Sequence, residues 1–302
     1  MSLLITGSAA YDTIATPEAR RDRVLGGSGV YSSYAASFFT EPHLVSVVGD
    51  DWNGEDSLFL KKHGINLDGL EIRSGAKTLY WSGRYFENMN ERETLEIELN
   101  VMGVEYDPVV PKPASEIPYV FLANGGPGIH LALLNKMSVK PKLVIADTMD
   151  FYINNDRANL DALLRRIDGL ILNDSEVKLL TGETNLIRAG KRILDQGPRM
   201  VIIKKGEHGA LYLTQDGIFM IPAYPTDRLV DPTGAGDTFA GALSGYLAAS
   251  DDLTEESIRK GLAYATVVAS FCVEGFSLER LANLTRDNIE ERYREFRNMV
   301  AF

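Results

Sequence analysis

A Gly-Ala-Gly turn that runs directly into a helix is the segment of this sequence best suited to chemistry. It reads Val230-Asp231-Pro232-Thr233-Gly234-Ala235-Gly236-Asp237, and mostly small and apolar residues follow it. Glycines let the backbone approach a ligand closely, and the first turn of a helix leaves amides free with a partial positive charge. Gly234, Ala235 and Gly236 are therefore predicted to form a site for an anion such as a phosphoryl group in transit.

Asp237 stands at the same helix start, where two roles are open to it. A carboxylate beside a phosphate makes sense if it accepts the proton of an attacking hydroxyl, as in-line phosphoryl transfer requires. The plainer role is an interaction with the helix dipole, worth about 0.3–1 kcal/mol. The dipole does not account for the two glycines, so Asp237 is predicted to be a catalytic base.

Short apolar segments that alternate with helical patterns must position this turn. Continuous apolar runs, typical of strands buried on both faces, lie at 3–5, 44–48, 119–122, 143–146, 170–172 and 201–203. Helical patterns lie at 28–39, 55–63, 156–166, 176–180 and 186–195, and three more at 237–249, 255–271 and 286–301. This alternation predicts an α/β fold with a central, mostly parallel sheet, and the Asp-Gly turn between 210–214 and 218–221 predicts a hairpin.

One segment interrupts this rhythm. Residues 78–86 and 93–101 have the character of two strands around the polar loop 87–92, and charges alternate with apolar residues at 95–99. We interpret it as a small antiparallel β lid inside one domain of residues 1–302, formed mainly by 76–103 with 10–26 as a further contributor. A hairpin without function is the alternative, and the lid can also form the contact of a homodimer.

Composition limits the class of protein. The chain has 302 residues, a net charge of −11 and a pI near 5.0, which disfavours a nucleic-acid partner. A single cysteine excludes a disulfide framework and a cysteine-ligated metal site. No apolar run approaches the length of a membrane span, and the N-terminus lacks the features of a signal peptide, so we expect a cytoplasmic protein.

The turn at 231–237, followed by Gly241-Ala242-Leu243-Ser244, resembles the C-terminal signature of the ribokinase-like (PfkB) carbohydrate kinases. The resemblance extends along nearly the whole chain, through Gly7-Ser8 with Asp12, then 25–29, 48–51, 64–65, 173–176 and 205–210. It implies a ribokinase-like three-layer core with a β lid. It also implies a kinase that transfers the γ-phosphoryl group of ATP, with Mg²⁺, to a hydroxyl of a sugar or nucleoside.

The resemblance also implies site residues. Asp237 would be the base, and Gly234, Ala235 and Gly236 the anion hole. Asn173 and Glu176 match an Asn-x-x-Glu pair that would organise water around Mg²⁺ and the nucleotide phosphates. Asp231 would help to hold a monovalent cation such as K⁺. Further nucleotide contacts fall on Lys204, Lys205, Gly206, Gly209 and Thr233, and acceptor contacts on Asp12, Gly26, Gly27 and Tyr31.

Departures from the ribokinase pattern bear on the acceptor. Tyr31 replaces a sugar-binding asparagine, Ala10 replaces another asparagine, and Gly125-Gly126 stand where a glutamate is expected. A nucleoside with a reactive 5′-hydroxyl is therefore favoured slightly, with Tyr31 and the lid aromatics Tyr80, Trp81, Tyr85 and Phe86 stacking on its base at about 1–3 kcal/mol each. Packing of the lid or a dimer seam by these aromatics remains open, as does a free sugar or sugar acid such as ribose, fructose or 2-keto-3-deoxygluconate.

Other classes fit less well. The sequence has no GxxxxGK[ST] motif for a P-loop kinase. Residues 26–32 match a dinucleotide fingerprint or a nucleophile elbow only in part. A non-catalytic nucleotide or sugar sensor on the same fold is the alternative of another class, but such a protein would be expected to lose the base or the glycines of the anion hole.

Overall fold

The computed structural model describes residues 1–103 and 106–301, which form thirteen strands and ten α-helices. The strands are β1 Leu3–Thr6, β2 Ala10–Ala15, β3 Arg20–Gly26, β4 Pro42–Gly49, β5 Asn66–Arg73, β6 Leu79–Tyr85, β7 Arg92–Glu98, β8 Tyr119–Leu122, β9 Leu143–Asp147, β10 Gly169–Asn173, β11 Met200–Lys204, β12 Ala210–Thr214 and β13 Ile218–Ile221. The helices are α1 Ser28–Ser37, α2 Gly54–Lys62, α3 Pro127–Asn135, α4 Asp150–Asn155, α5 Arg157–Leu164, α6 Asp174–Thr181, α7 Leu186–Leu194, α8 Ala235–Ser250, α9 Glu255–Cys272 and α10 Arg286–Met299.

Nine strands form the central sheet, in the order β13-β12-β11-β10-β9-β8-β1-β4-β5. The seven strands from β11 to β5 run parallel, and the hairpin β12–β13 adds two antiparallel pairs at one edge. The chain builds outward from β1 through β4 to β5 and then returns to β8 on the other side of β1. This change of direction makes the β1–β8 boundary a topological switch point, where open α/β sheets bind ligands.

Alternate residues of the central strands enter two separate cores. Leu3 and Ile5 of β1 pack into a core with α1, α8 and α9, whereas Leu4 packs into a second core with α3, α5, α6 and α7. Burial on both faces of the sheet explains why most of its strands are continuous apolar runs. The result is the three-layer α/β core that the sequence predicts.

A second sheet of four strands, in the order β3-β2-β6-β7, stands beside the core; we call it the small sheet. The β2–β3 and β6–β7 pairs are antiparallel, but β2 pairs with β6 in parallel, so the expectation of an antiparallel lid holds only for the two hairpins. Residues 10–26 supply two of its strands. Edge strand β7 is exposed along its whole length.

Small residues bring α8 against α1. A Cβ atom placed on Gly241 would lie 2.2 Å from the carbonyl oxygen of Ser32, and one on Gly245 would lie 2.8 Å from Cα of Ala36. The Ser32 hydroxyl also donates to the carbonyl of Asp237 at 3.1 Å. This close contact fixes the glycine-rich starts of the two helices relative to one another. None of the helices within the described ranges has the length and apolar character to span a membrane.

Candidate active site

Functional side chains collect at the carboxyl edge of the central sheet. Asp147, Asn173 and Lys204 are the last residues of the neighbouring strands β9, β10 and β11. Gly7 and Asn124 follow β1 and β8 at the switch point. The edge is therefore lined from the switch point to the hairpin, and the start of α8 and the small sheet close it from the other side.

The turn before α8 has the geometry of an anion site. Gly234 is the N-cap of α8 and has φ 74°, the left-handed conformation that favours glycine. The Ala235 amide donates to the carbonyl of Pro232 at 3.2 Å, so the prediction that Ala235 is a free donor is wrong for this structure. The amides of Gly234, Gly236 and Asp237 have no protein acceptor within residues 1–103 and 106–301, which leaves three donors pointing out of the helix end.

Asp237 occupies the first turn of α8 and is half-buried. Burial raises the pKa of its carboxyl to about 7, with a further rise from Asp147 and opposing effects of Lys204 and Arg92. A carboxylate whose pKa lies near neutrality is a stronger base than an ordinary aspartate. Its position next to three free amides is what the sequence predicts for a base in phosphoryl transfer.

Lys204 lies beside the anion site and not only along the nucleotide loop. A Cβ atom placed on Gly236 would lie 3.1 Å from its Nζ. Its ammonium group donates to Oδ2 of Asp147 at 2.8 Å, and both side chains are well buried, with 19% and 4% exposure. Burial alone would lower the pKa of Lys204, but the negative charges of Asp147 and Glu176 have the larger effect and raise this pKa. Asp147 was not predicted as a site residue, because its sequence context shows only the end of a strand.

Asn173 and Glu176 form a capping box at the start of α6. The Asn173 side chain accepts from the Glu176 amide at 2.8 Å, and Glu176 Oε2 accepts from the Asn173 amide at 2.7 Å. Burial raises the pKa of Glu176 to about 7, although Lys204 lowers it in part. The pair therefore caps a helix, and it also places a half-buried carboxyl near the ammonium of Lys204.

The loop after β11 contains the other predicted nucleotide contacts. Lys205 donates its amide to Gly209 at 2.7 Å, and Gly206 lies next to Asn90 of the small sheet. Gly209 has a packing reason for its lack of a side chain, since a Cβ atom there would lie 2.0 Å from the carbonyl oxygen of Ile221. A ligand approach is thus not needed to explain Gly209.

Asp12, Gly26 and Gly27 come together at the inner end of the small sheet. Asp12 on β2 is buried, and a Cβ atom on Gly26 would lie 2.0 Å from its Oδ2. Burial raises the pKa of Asp12 to about 7, and the negative charges of Asp231 and Asp237 contribute to the rise. The predicted acceptor aspartate is therefore within electrostatic range of the predicted base.

Tyr31 is not placed as expected. Its side chain is only 1% exposed, and its ring lies under the turn, where a Cβ atom on Gly234 would come within 2.5 Å of it. A buried ring offers no face to a base, so the prediction that Tyr31 stacks on the acceptor is wrong. Its hydroxyl is buried without a hydrogen-bond partner among the residues that the structure describes.

The strand register shows which lid side chains face the site. Trp81 is paired with Asp12, and Tyr85 is paired with Arg92, so these side chains share the inner face of the small sheet. The Trp81 ring packs against Gly83, where a Cβ atom would come within 2.1 Å of it. Tyr80 pairs with Tyr11 on the opposite face, and exposed Phe86 follows β6.

Arg92 is a site residue that the sequence did not reveal. Its guanidinium lies 5.5 Å from the centre of the Trp81 ring and within electrostatic range of Asp12, Asp237 and Glu176. The sequence pattern places it in a polar loop, and only its pairing with Tyr85 as the first residue of β7 shows that its exposed side chain lies on the face of the small sheet that carries Trp81 and Tyr85. Arg84, by contrast, pairs with Glu93 at 2.7 Å on the exposed face.

The small sheet touches both halves of the site. The Thr233 hydroxyl donates to the Tyr85 hydroxyl at 3.1 Å, which places Thr233 against the small sheet. The Asn90 amide donates to Glu207 in the loop after β11 at 3.1 Å. These contacts close the small sheet over the turn before α8 and over the nucleotide loop.

Asp231 is fully buried and joins two loops. Its Oδ1 accepts from the Thr233 amide at 2.9 Å, and its Oδ2 accepts from the Ser277 amide at 3.4 Å. The nearby carbonyl of Val273 accepts from the amides of Val230 and Asp231. Each carboxylate oxygen of Asp231 thus accepts one amide hydrogen from the protein.

Comparisons with known proteins find similarity to kinases of sugars and nucleosides. Residues 138–278 match the profile described as pfkB family carbohydrate kinase. The chain is 29% identical over 277 residues to a cytidine kinase of Thermococcus kodakarensis, which covers 89% of this chain and 96% of the relative. Its fold is that of a Burkholderia thailandensis nucleoside kinase in complex with inosine, with a TM-score of 0.82, 22% identity and 97% coverage of both chains. A putative ribokinase II from E. coli in complex with ATP and Mg²⁺ also shares the fold, with a TM-score of 0.77, 17% identity and coverage of 97% and 99%.

Proposed function

Because the chain belongs to the ribokinase-like (PfkB) family of carbohydrate and nucleoside kinases, we propose that it transfers the γ-phosphoryl group of ATP to the 5′-hydroxyl of a nucleoside. Phosphotransfer to a hydroxyl of a sugar or nucleoside is the general activity of this kinase. The observation that carries the proposed mechanism is the position of Asp237, a half-buried carboxyl next to three free amides.

Asp237 takes the proton of the acceptor hydroxyl as that hydroxyl attacks the γ-phosphorus. A pKa of about 7 leaves about half of the carboxyls charged at neutral pH, which balances availability against basicity. The amides of Gly234, Gly236 and Asp237 donate hydrogen bonds to the oxygens of the phosphoryl group, where negative charge is concentrated.

The small sheet acts as a lid in this proposal. Tyr85 and Asn90 hold it against the turn before α8 and against the nucleotide loop, and Arg92 brings a positive charge to the side of the site opposite the sheet edge. Closure excludes water, which would otherwise compete with the acceptor for the phosphoryl group. Asp12 binds two neighbouring hydroxyls of the acceptor's ribose.

The residues at the edge of β10 fit Mg²⁺. Glu176 is a half-buried carboxyl whose raised pKa reflects a lack of solvation, and a hard cation favours such oxygen ligands. Within residues 1–103 and 106–301 no three His, Cys, Asp or Glu side chains surround one point, so the ion would keep most of its waters and Glu176 would hold it through one of them. When bound, Mg²⁺ neutralises the nucleotide phosphates.

A monovalent cation at Asp231 is not part of the proposal. Both carboxylate oxygens of Asp231 and the carbonyl of Val273 accept amide hydrogens, so direct hydrogen bonds join this loop to its neighbours. We assign Asp231 the structural role of joining the turn before α8 to the loop at Ser277.

Trp81 favours a nucleoside over a free sugar. Its half-buried ring covers Gly83 on the inner face of the small sheet, on the strand next to Asp12. Stacking of a base on such a ring stabilises a complex by about 1–3 kcal/mol, equivalent to roughly 5- to 150-fold in affinity. The similarity to the Thermococcus cytidine kinase gives independent support.

A substrate panel tests this acceptor. Cytidine, inosine, adenosine, ribose and fructose are compared by ATP consumption, and the best nucleoside should exceed ribose at least about tenfold in kcat/KM. Trp81→Leu should remove most of this preference, whereas Tyr80→Leu, a neighbour on the opposite face, should retain it. A preference of the wild type for ribose or fructose overturns the acceptor, and no ATP consumption with any compound overturns the kinase mechanism.

We also propose that β7 forms the contact of a homodimer. Leu95 and Ile97 are more than half exposed on this unpaired edge strand, and exposed apolar edges favour pairing with a second chain. Sedimentation equilibrium measures the mass in solution and decides this point.

A further inference from the structure

We propose that Lys204 is a catalytic residue that contacts the phosphoryl group in transit, and that Asp147 is the positioning residue that holds its ammonium there. The proposal rests on the proposed function, because it concerns the same reaction. It differs from a general role of Lys204 in nucleotide affinity, since it assigns this lysine to the transferred group.

A salt bridge on one side and the turn before α8 on the other fix the ammonium at that place. Its Nζ lies 2.8 Å from Oδ2 of Asp147, while Oδ1 of Asp147 accepts the Thr148 amide at 2.7 Å, so the carboxylate cannot turn away freely. On the other side, Nζ lies 3.1 Å from the position of a Cβ atom on Gly236. The ammonium therefore sits between the edge of the sheet and one of the amides of the anion site.

The side chain is held from both ends. Lys204 is paired with Asn173 on β10 and with Ala210 on β12, so its backbone belongs to the interior of the sheet. A cation fixed before the reaction stabilises developing negative charge without the cost of reorganisation. A lysine that is free on the surface would first have to restrict the rotation of its long side chain, which costs conformational entropy.

In the reaction, the acceptor oxygen forms a bond to the γ-phosphorus as the bond from this atom to the bridging oxygen of ATP breaks. The electron pair leaves with ADP, and the hydroxyl proton goes to Asp237. Lys204 donates to an oxygen of the transferred group throughout this step, next to the amide of Gly236. Its ammonium remains protonated, so the step requires no further reactant.

The test compares Lys204→Met with Asp147→Asn. We expect Lys204→Met to lower kcat by about 10²–10³-fold, the usual effect of losing one donor to the transition state. It should also weaken binding of ADP with aluminium fluoride, a mimic of the transferred group, at least tenfold in calorimetry, with less than a threefold change for ADP alone. Asp147→Asn should lower kcat by about tenfold or more.

The pH profile separates positioning from a merely structural role. The charged groups that face Asp237 are Asp147 on β9, Lys204 on β11, Arg92 on β7 and Asp12 on β2. Loss of the cation in Lys204→Met should move the acid limb of kcat to higher pH, and loss of the anion in Asp147→Asn should move it to lower pH, each by about one unit.

Arg292→Met is the matched control. It breaks another well-buried ion pair, Arg292 with Glu274 at 2.8 Å, with 16% and 7% exposure, and it should lower thermal stability without moving the acid limb. Equal weakening of ADP and of the mimic, or unmoved acid limbs in both site variants, overturns the proposal. If the wild type binds the mimic but phosphorylates no nucleoside, only the proposed acceptor fails. If it binds neither ADP nor the mimic, both proposals fail.

Discussion

Replacement of Asp237 by Asn tests the assignment of the base, and it predicts opposite changes in activity and stability. The variant keeps the size of the side chain but cannot take the hydroxyl proton, so kcat should fall by roughly 10²–10⁴-fold while the KM for ATP remains nearly the same. In the wild type the acid limb of kcat/KM should lie near pH 7, because burial raises the pKa of Asp237 to about 7.

The effect on stability follows from the same shift. The pKa of Asp237 rises from 3.8 to about 7 on folding, about three units, and each unit corresponds to about 1.4 kcal/mol. Because the folded-state pKa is the higher one, stability is fully present below pH 4 and is lost as the pH rises through 7. The wild type thus loses at most about 4 kcal/mol at pH 8, and the neutral Asn variant avoids this loss.

Two measurements at pH 8 test the catalytic role of Asp237 and its effect on stability. Steady-state assays of ATP consumption give kcat, and calorimetry gives the Tm, which should rise in the variant. A variant that is inactive because it misfolds would have a lower Tm. A kcat within tenfold of the wild type would show that Asp237 is not the base.

Two further predictions concern the lid and the ion requirement. Arg92→Ala should lower kcat/KM about tenfold or more, because it removes a cation that faces Asp237 and Glu176. Arg84→Ala, on the opposite face of the same sheet, should remain near wild type. Equal effects of the two substitutions would contradict the placement of Arg92 on the face towards the site. Replacement of KCl by choline chloride at constant ionic strength should leave kcat within about twofold and the Tm unchanged, because hydrogen bonds from two amides hold Asp231 in place. A tenfold activation by K⁺ would show that the protein binds this ion.

The elements of the central sheet were largely predictable because burial on both faces produces continuous apolar runs. All six predicted runs are strands, and the hairpin β12–β13 has the predicted bounds. Strand β3 begins with Arg20-Arg21-Asp22-Arg23, which are exposed, so no hydrophobic pattern predicts this strand. It is a strand because it pairs with β2, which is a tertiary contact. The sequence analysis also did not predict β5, α3 and α4.

The local part of the site was predictable, and the part assembled from distant segments was not. Gly234, Gly236 and Asp237 stand together in one turn, so their chemistry is visible in the sequence. Asp147 and Arg92 reach the site from β9 and β7, and only strand pairing shows this. Tyr31 was misinterpreted because sequence spacing does not reveal that its ring packs beneath Gly234.

The exposed border of the small sheet has a consequence for the behaviour of the protein in acid. Glu93, Glu96 and Glu98 lie along β7, on the same exposed strand as Leu95 and Ile97. At neutral pH their mutual repulsion limits the addition of further chains, as gatekeeper charges do at other strand borders. As the pH approaches the pI, the net negative charge of the whole chain falls towards zero, while the apolar side chains of β7 stay in place. Acidification towards the pI near 5.0 therefore favours open-ended stacking of small sheets and precipitation from solution.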